Sequence, residues 1–157
     1  MTLIAEYREA RRNEDSARLR RVLVMRAMSA SGMSQRQVAN SLGISQSAVS
    51  QQLSSAPDLD AVHPEVLLEA AKPSLRALAA DHGYTRLSAF GSVARHEARA
   101  DSDIDLIVES PDGTSSFGFV SFKHLIEQVL GREIDLVDFG GLTPGLDDDI
   151  LRDAVEL

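Results

Sequence analysis

The first third of the chain carries apolar residues at helical spacing. Residues 2–30 are predicted to be helical, with a leading segment followed by a second helix start at the acidic stretch 13–16. Gly32 stands where a helix ends, because glycine adopts the left-handed conformation of a C-terminal cap without strain. The apolar side of this helix consists of Leu19, Val22 and Leu23. Arginines occupy the other side, so the pattern predicts a helix that packs along one face.

Two short helices joined by a glycine turn are predicted next. Ser34 and Ser45 each stand where a side-chain oxygen can cap a helix start, and Gly43 allows the left-handed turn between the helices. The residues expected to face inward are Val38, Ala39, Leu42, Ala48, Val49 and Leu53. Two such helices, with a small residue where they cross, make a helix-turn-helix. The segment resembles the helix-turn-helix of phage repressors and related bacterial regulators.

The outward side of this unit is polar and basic. Short polar side chains on its second helix, and one arginine on its first, suit base edges and phosphates. The predicted DNA-binding residues are Arg36, Gln46, Ser47, Ser50 and Gln51. A homodimer would present two such helices to a palindromic duplex. The alternative is a three-helix unit that only packs against another surface, but the surplus of arginine favours DNA.

The rest of the chain alternates between helical and strand patterns. Residues 54–60 are small and polar and contain a proline, so they are predicted to be a linker. A helix follows at 64–81, with a break or kink expected near Lys72 because Pro73 lies inside it. The elements predicted after it are a strand at 86–90, a short helix at 92–96, a strand at 103–109, a helix at 119–130, a strand at 133–138 and a helix at 147–157.

These patterns predict an α+β chain of two domains with opposite charge. An all-α helix-turn-helix domain is expected at 1–57 and a small mixed-sheet domain at 58–157. Residues 1–56 hold eight arginines and four acidic residues, a net charge of +4. The remaining residues hold eight basic and twenty acidic groups, a net charge of −12, and the whole chain carries −8. The basic part can meet nucleic acid, whereas the acidic part can bind phosphates only through cations.

Composition excludes several classes of protein. The chain has no cysteine, which excludes disulfides, zinc thiolates and cysteine nucleophiles. No run of about 18 apolar residues is present, so no transmembrane helix is predicted. The first residues include glutamates and lack an apolar core, so no secretory signal is predicted either. The sequence therefore predicts a cytoplasmic protein without a membrane partner.

The most informative stretch links a glycine–serine pair to two aspartates. A predicted strand leads into Gly91 and Ser92, where glycine allows close backbone approach and the first N–H groups of a helix can hold a phosphate oxygen. Asp103 and Asp105 follow in the next strand and face the same side, because strand side chains alternate. Neighbouring carboxylates repel each other on an apolar strand, and Mg²⁺ bound together with substrate phosphates resolves that repulsion.

A third carboxylate belongs to the next predicted strand. If the strand of Asp135 pairs beside that of Asp103, three acids converge. This is the layout for two-metal nucleotidyl transfer, in which one ion bridges the phosphates and the other activates the attacking hydroxyl. The predicted catalytic and metal-binding residues are Asp103, Asp105 and Asp135. Of these, Asp135 would lie closest to the attacking hydroxyl.

Gly-Ser, ten residues, Asp-x-Asp and a later third aspartate resemble the nucleotidyltransferase superfamily of DNA polymerase β, and within it the minimal nucleotidyltransferases of prokaryotes. The resemblance covers about residues 75–157. It implies that a nucleoside triphosphate bound with two Mg²⁺ ions donates a nucleoside monophosphate, and that Asp135 also serves as the base. The nucleotide-binding residues that it implies are Gly91, Ser92 and Arg95. His96 departs from the family pattern, which usually has glycine after that arginine.

The resemblance also implies partners. Small members of this family are often antitoxins encoded beside ribonuclease toxins, and some adenylylate the toxin. We therefore expect an enzyme that moves AMP from ATP to a protein acceptor, a cognate toxin, and that represses its own operon through the helix-turn-helix. The alternative is a DNA-binding transcriptional regulator whose nucleotidyltransferase fold only senses a ligand or partner. The presence of all three aspartates favours the enzyme.

Overall fold

A computed structural model describes residues 2–157. The helices are α1 (Leu3–Ala30), α2 (Gln35–Leu42), α3 (Gln46–Ser54), α4 (Pro64–Asp81), α5 (Gly91–Ala94), α6 (Ser116–Leu130) and α7 (Asp148–Asp153). The strands are β1 (Thr85–Phe90), β2 (Asp105–Glu109), β3 (Asp135–Asp138) and β4 (Val155–Glu156). Helices precede a unit that mixes helices and strands, which confirms the α+β class. None of the helices within residues 2–157 combines the length and apolarity needed to cross a membrane.

The four strands form one mixed sheet in the order β3-β2-β1-β4. β1 runs antiparallel to both β2 and β4, and β2 runs parallel to β3. Apolar side chains of the sheet and of helices α4 and α6 make the main core, which includes Leu67, Leu75, Leu87, Leu106, Ile126 and Leu130. Leu106 and Val108 of β2 belong to this core, whereas Asp105, the first residue of the strand, is only half-buried.

Helix α1 contributes to two cores. Leu19 and Leu23 pack in the main core. Arg26 fastens the same contact, because its guanidinium donates to two carbonyl oxygens in the last turn of α6, at 3.0 and 2.7 Å. Met25, on a neighbouring side of α1, packs in a second, smaller core with Val38, Ala39 and Val49. The domain boundary at residue 57 stays a prediction, but α1 is common to both units.

The segment predicted as a linker is anchored at its end. Leu59 lies in a single 3₁₀ turn (Leu59–Ala61) and is buried in the main core. The Arg132 guanidinium donates to the carbonyl oxygens of Leu59 and Val62, the latter at 2.7 Å. The two units are therefore connected by a fastened turn and by α1, and not by a free tether.

The local signals of the helix-turn-helix are confirmed. Ser34 accepts a hydrogen bond from the N–H of Gln37 at 3.2 Å, and the Gln37 side chain accepts one from the N–H of Ser34 at 2.9 Å, which together make a capping box. The Ser45 hydroxyl caps α3 by accepting a hydrogen bond from the N–H of Ala48 at 3.0 Å, and Gly43 has φ 68°. The prediction for Leu42 was wrong: its side chain is 41 % exposed and does not join the small core.

Two helices are less interrupted than expected. α1 is continuous from Leu3 and is capped by the Thr2 hydroxyl, so no second start exists at 13–16. Those side chains are exposed, and the good helix formers on both sides carry the helix through them. α4 likewise continues through Pro73 without a break near Lys72. Pro73 is exposed, so water can satisfy the carbonyl oxygen that loses its backbone donor.

The end of the chain differs most from its prediction. The helix expected at 147–157 is only the six-residue α7, and Val155 and Glu156 form β4 against β1. The unpaired edge of β1 supplies hydrogen-bond partners that outweigh the helical spacing of the apolar residues there. Smaller shifts occur elsewhere: β2 and β3 begin two residues later than predicted, and α6 begins earlier because Ser115 caps it.

Candidate active site

The candidate active site lies at one end of the sheet, where three chain segments meet. Phe90, the last residue of β1, is paired with Asp105, the first residue of β2. Asp105 is in turn paired with Asp135, the first residue of the parallel strand β3. The second and third strands therefore do pair, which was the condition for the convergence of their acids. Its register brings Gly91, Asp105 and Asp135 side by side.

Gly91 brings the backbone directly against the carboxylate. Its φ is 69°, and a Cβ at this position would lie 2.4 Å from Oδ2 of Asp105. A side chain would therefore collide with the acid, and the left-handed conformation would strain any other residue. Val93, which is buried, fixes the short helix α5 to the core, and Ser92 lies half-buried in the same turn.

The protonation of Asp105 reflects these surroundings. The pKa of Asp105 is raised from its ordinary value of 3.8 to about 6, and burial is the largest cause. A side-chain hydrogen bond with Asp135 and the charges of Asp135 and Asp103 contribute to the same rise, while the charge of Arg95 opposes it. The carboxylate of Asp135, at the start of the neighbouring strand, therefore disfavours the ionisation of Asp105.

Asp103 stands at the edge of this pair. It lies in the loop before β2, and its side chain is exposed. Ile104, fully buried between the two aspartates, anchors that loop to the core. Across residues 2–157, no three acidic or histidine side chains are close enough together, as they stand, to hold one metal ion. The structure therefore brings Asp105 and Asp135 together. Asp103 is close enough for its charge to act on Asp105.

The chemistry of this group fits a divalent cation. Mg²⁺ prefers carboxylate oxygens, and Asp105 and Asp135 present them from adjacent strand ends with Asp103 beside them. Besides burial, the charges of Asp135 and Asp103 raise the pKa of Asp105, and a bound cation relieves that repulsion. Asp105 and Asp135 are therefore placed where they would hold a metal together, and the predicted part of Asp103 in that site stays a prediction.

Arg95 makes contacts that the sequence did not reveal. Its guanidinium donates from Nε to Glu97 at 3.1 Å and from Nη1 to Asp153 at 2.6 Å. Because Asp153 belongs to α7, the arginine fastens the end of the chain to the turn that carries Gly91. No local signal connects residues 58 positions apart. The role of Arg95 in nucleotide binding stays a prediction, with its proximity to Asp105 in its favour.

His96 has a backbone conformation that explains the usual glycine. Its φ is 58°, in the left-handed region that glycine enters without strain. Its exposed ring pairs with Glu65 of α4, with 2.9 Å between Nδ1 and Oε1. The departure from the family pattern thus leaves the turn in place and adds a contact to α4.

The second candidate site is the outer face of the helix-turn-helix. The side chains predicted to contact DNA are all exposed: Arg36, Gln46, Ser47, Ser50 and Gln51. Val49, on the inner side of the same helix, is fully buried and holds α3 in place. The polar face is therefore available to a ligand, and the roles of its residues stay predictions.

Residues 73–157, which include every residue of the candidate active site, match a family model described as a nucleotidyltransferase domain. The chain belongs to this family. The protein is therefore a nucleotidyltransferase, of a family that uses a nucleoside triphosphate and a divalent metal. Residues 16–57 match the model of sigma-70, region 4, in agreement with a helix-turn-helix of DNA-binding type before the nucleotidyltransferase domain.

Relatives of this nucleotidyltransferase are similar to it over most of their own length. The "Putative protein adenylyltransferase MJ0435" of Methanocaldococcus jannaschii is 43 % identical over 76 residues, 48 % of this chain and 82 % of that protein. "Protein adenylyltransferase MntA" of Thermococcus cleftensis is 34 % identical over 91 residues, 58 % of this chain and 89 % of that protein. A solved structure titled "Structure of putative minimal nucleotidyltransferase" is 39 % identical, with a TM-score of 0.53, over 66 % of this chain and 99 % of that one.

Proposed function

We propose that the protein is a Mg²⁺-dependent adenylyltransferase that moves AMP from ATP to a hydroxyl group of another protein. The observation that carries this proposal is the Asp105–Asp135 pair against Gly91, in a chain whose relatives are named protein adenylyltransferases. Mg²⁺ held by the three aspartates would neutralise phosphate charge and acidify the attacking hydroxyl. The triphosphate-holding residues would be Gly91, Ser92 and Arg95.

In this reaction the acceptor oxygen bonds to the α-phosphorus of ATP as the bond to pyrophosphate breaks. The hydroxyl proton needs a base, and Asp135 is the better placed carboxylate for it. Asp135 is exposed at the open end of the sheet, whereas Asp105 is half-buried behind Gly91. The close approach of the Gly91 backbone to Asp105 supports the roles proposed here, with Asp105 as a metal ligand and Asp135 as the group that meets the acceptor.

Charge supports a protein as the acceptor. The segment after residue 56 carries a net charge of −12, so it repels polynucleotides and attracts a basic protein surface. Complementary charge also accelerates the encounter of two such proteins. Phe117, at the start of α6, is 83 % exposed and offers an apolar contact on the same unit. We propose a cognate toxin as that partner, with the protein as its antitoxin.

Co-expression with the product of the neighbouring gene tests this proposal. Intact-mass measurement of that product should show the mass of one or more added AMP groups. The combined substitution Asp103→Ala and Asp105→Ala should abolish the addition, whereas Asp112→Ala, an exposed loop carboxylate, should leave it unchanged. An unmodified product that the double variant still neutralises would contradict adenylylation.

A second function is favoured by the exposed polar face of α3. We propose that residues 16–57 bind duplex DNA, with α3 in the major groove, and so repress the operon. Gln46→Ala should reduce discrimination between operator and random duplex, whereas Arg36→Ala should weaken binding to both alike and reduce its salt dependence. If Asp135→Ala abolishes nucleotidyl transfer without any effect on neutralisation or repression, the protein acts as a regulator and not through turnover.

A further inference from the structure

The first turns of α1 stand away from the rest of the protein. The segment from Thr2 to Arg18, which we call the extension, is exposed at every residue, although the helix is continuous to Ala30. The largest apolar side chains of this extension are open to solvent: Leu3 is 89 %, Ile4 66 % and Tyr7 66 % exposed. A helix of this length gains little stability from propensity alone, because helical segments in proteins depend on packing. The extension therefore presents an apolar face for which residues 2–157 supply no partner.

The second half of the same helix borders an open groove. Its walls come from α1 and from the helix-turn-helix, and its volume is about 510 Å³. Val24 and Leu42 lie in it and are 40 % and 41 % exposed, which makes its floor apolar. Two arginines, Arg20 and Arg21, stand along its edge. The exposure of Leu42, unexpected for a helix-turn-helix, places an apolar side chain where a second helix can pack.

One stripe runs through both halves of α1. Leu3, Ala10, Ala17 and Val24 follow one another at seven-residue intervals, two helical turns apart, and so lie on the same side of the helix. The alanines in the middle allow two helices to approach closely, while the larger ends match the open groove. The symmetry of this stripe and the charges beside it indicate that its partner is a second copy of the same helix.

Two antiparallel copies of α1 are complementary when residue i of one lies opposite residue 27 − i of the other. Leu3 then faces Val24 of the second copy, and Ala10 faces Ala17. Glu6 faces Arg21, and within residues 2–157 the structure gives neither of these an intramolecular ion pair.

The ion pair and the stripe agree on this register. Glu6 lies three residues after Leu3 and Arg21 three residues before Val24, so both stand beside the stripe. Arg8, Arg12 and Asp15 lie on the far side of the helix and do not enter the pairing.

We propose that two copies of this chain form a two-fold symmetric dimer in which the extension of each α1 lies antiparallel along α1 of the other. The interface is isologous, so both extensions and both grooves are covered at once. Leu3 and Ile4 of one copy occupy the groove beside Val24 and Leu42 of the other. The paired segment, residues 3–24, is about 32 Å long at 1.5 Å per residue. This inference does not rest on nucleotidyl transfer.

Engineered cysteines test the register directly, because the chain has none of its own. Cysteines placed by Ala10→Cys and Ala17→Cys should form disulfides between copies upon mild oxidation and run as a dimer on non-reducing gels. Within one helix these positions are about 10.5 Å apart, too far for a disulfide, whose Cα atoms lie about 4.4–6.8 Å apart. The matched control, Ala5→Cys with Ala17→Cys, places one cysteine on the far side of the helix. Equal cross-linking of both variants would overturn the proposed register.

A charge reversal tests the same dimer in solution. Glu6→Arg and Arg21→Glu should each weaken dimerisation by about tenfold, since each substitution acts twice in a symmetric pair. Combining them should restore dimerisation toward wild type. Light scattering should give the wild type about twice the chain mass of 17.0 kDa. A monomeric wild type, or a combined variant no better than the single ones, would overturn the proposal. A monomer whose Arg21→Glu variant loses DNA binding would assign this surface to phosphates instead.

Discussion

In the candidate site the backbone of a glycine leaves no room for a Cβ beside a carboxylate, and this yields the sharpest prediction for a single residue. Gly91→Ala should abolish nucleotidyl transfer and Mg²⁺–nucleotide binding, because its Cβ would stand 2.4 Å from Oδ2 of Asp105. Activity and calorimetric binding measure the effect.

Backbone strain alone must be separated from that collision. Gly113→Ala is the matched control, because Gly113 also has a positive φ, 81°, but no atom lies within 4 Å of its Cβ position. Both substitutions should reduce the free energy of unfolding by roughly 1 kcal/mol through the left-handed conformation. Only Gly91→Ala should lose Mg²⁺–nucleotide binding. Similar activity in the two variants would show that the fit of Gly91 against Asp105 is not needed for the reaction.

The raised pKa of Asp105 predicts a pH-dependent response to Mg²⁺. Its carboxyl binds a proton more tightly in the folded chain than in the unfolded one. The contribution of Asp105 to the free energy of unfolding therefore falls as pH rises from 3.8 through about 6. A cation relieves the repulsion only when the carboxylate is charged. Mg²⁺ should therefore raise Tm more at about pH 7.5 than at about pH 5. Asp105→Asn should remove most of that difference, and an equal Mg²⁺ effect at both pH values would contradict the assignment.

At the scale of elements, helix α3 depends on a single cap. Ser45→Ala should reduce the free energy of unfolding by about 1 kcal/mol, because a backbone N–H of α3 loses its 3.0 Å acceptor. DNA binding should weaken together with stability, since the polar face of α3 is only as ordered as the helix. Ser41→Ala is the control: this exposed serine lies within α2 and caps neither helix. Denaturant unfolding of the three proteins measures the difference.

Elements with local signals could be predicted from the sequence, and elements that depend on distant partners could not. Ser34, Ser45 and Gly43 fix the ends of their helices through hydrogen bonds and backbone conformation a few residues away, so the pattern was sufficient. β4 exists because β1, more than sixty residues earlier, leaves an edge to pair with, and nothing near Val155 reveals that edge.

The same distinction holds at the candidate site. Residue types and spacing singled out Gly91, Asp103 and Asp105 as candidates, and the apolar residues around Asp135 placed it in a strand. That this strand pairs with the strand of Asp105 was only a condition in the sequence, and the structure shows the pairing. The bond between Arg95 and Asp153 escaped prediction because only the folded chain brings α5 and α7 together. The placement of Asp103 outside β2 escaped it too, since an alternating pattern does not reveal at which residue a strand begins to pair.

At the scale of the whole molecule, the shared helix predicts that both units unfold together. Leu23 of α1 is fully buried in the main core, so Leu23→Ala should reduce the free energy of unfolding by roughly 2–5 kcal/mol. DNA binding and nucleotidyl transfer should be lost in one thermal transition, at a lower temperature than in wild type. Leu146→Ala, at a side chain 77 % exposed, should leave the transition in place. Two separate transitions would show that α1 does not join the cores.

The double use of α1 also constrains how such a chain can be assembled by recombination. A crossover at residue 57, the predicted domain boundary, would join α1 to a foreign domain. In α1, Leu23 already packs in one core and Met25, two residues later, in the other. The transplanted helix-turn-helix would then expose the apolar residues of α1 that pack in the main core. The domain left behind would expose the surfaces of α4 and α6 that α1 covers. Functional chimaeras should therefore require exchange of α1 together with the surfaces of α4 and α6 that it covers, so these segments are expected to be inherited as one block.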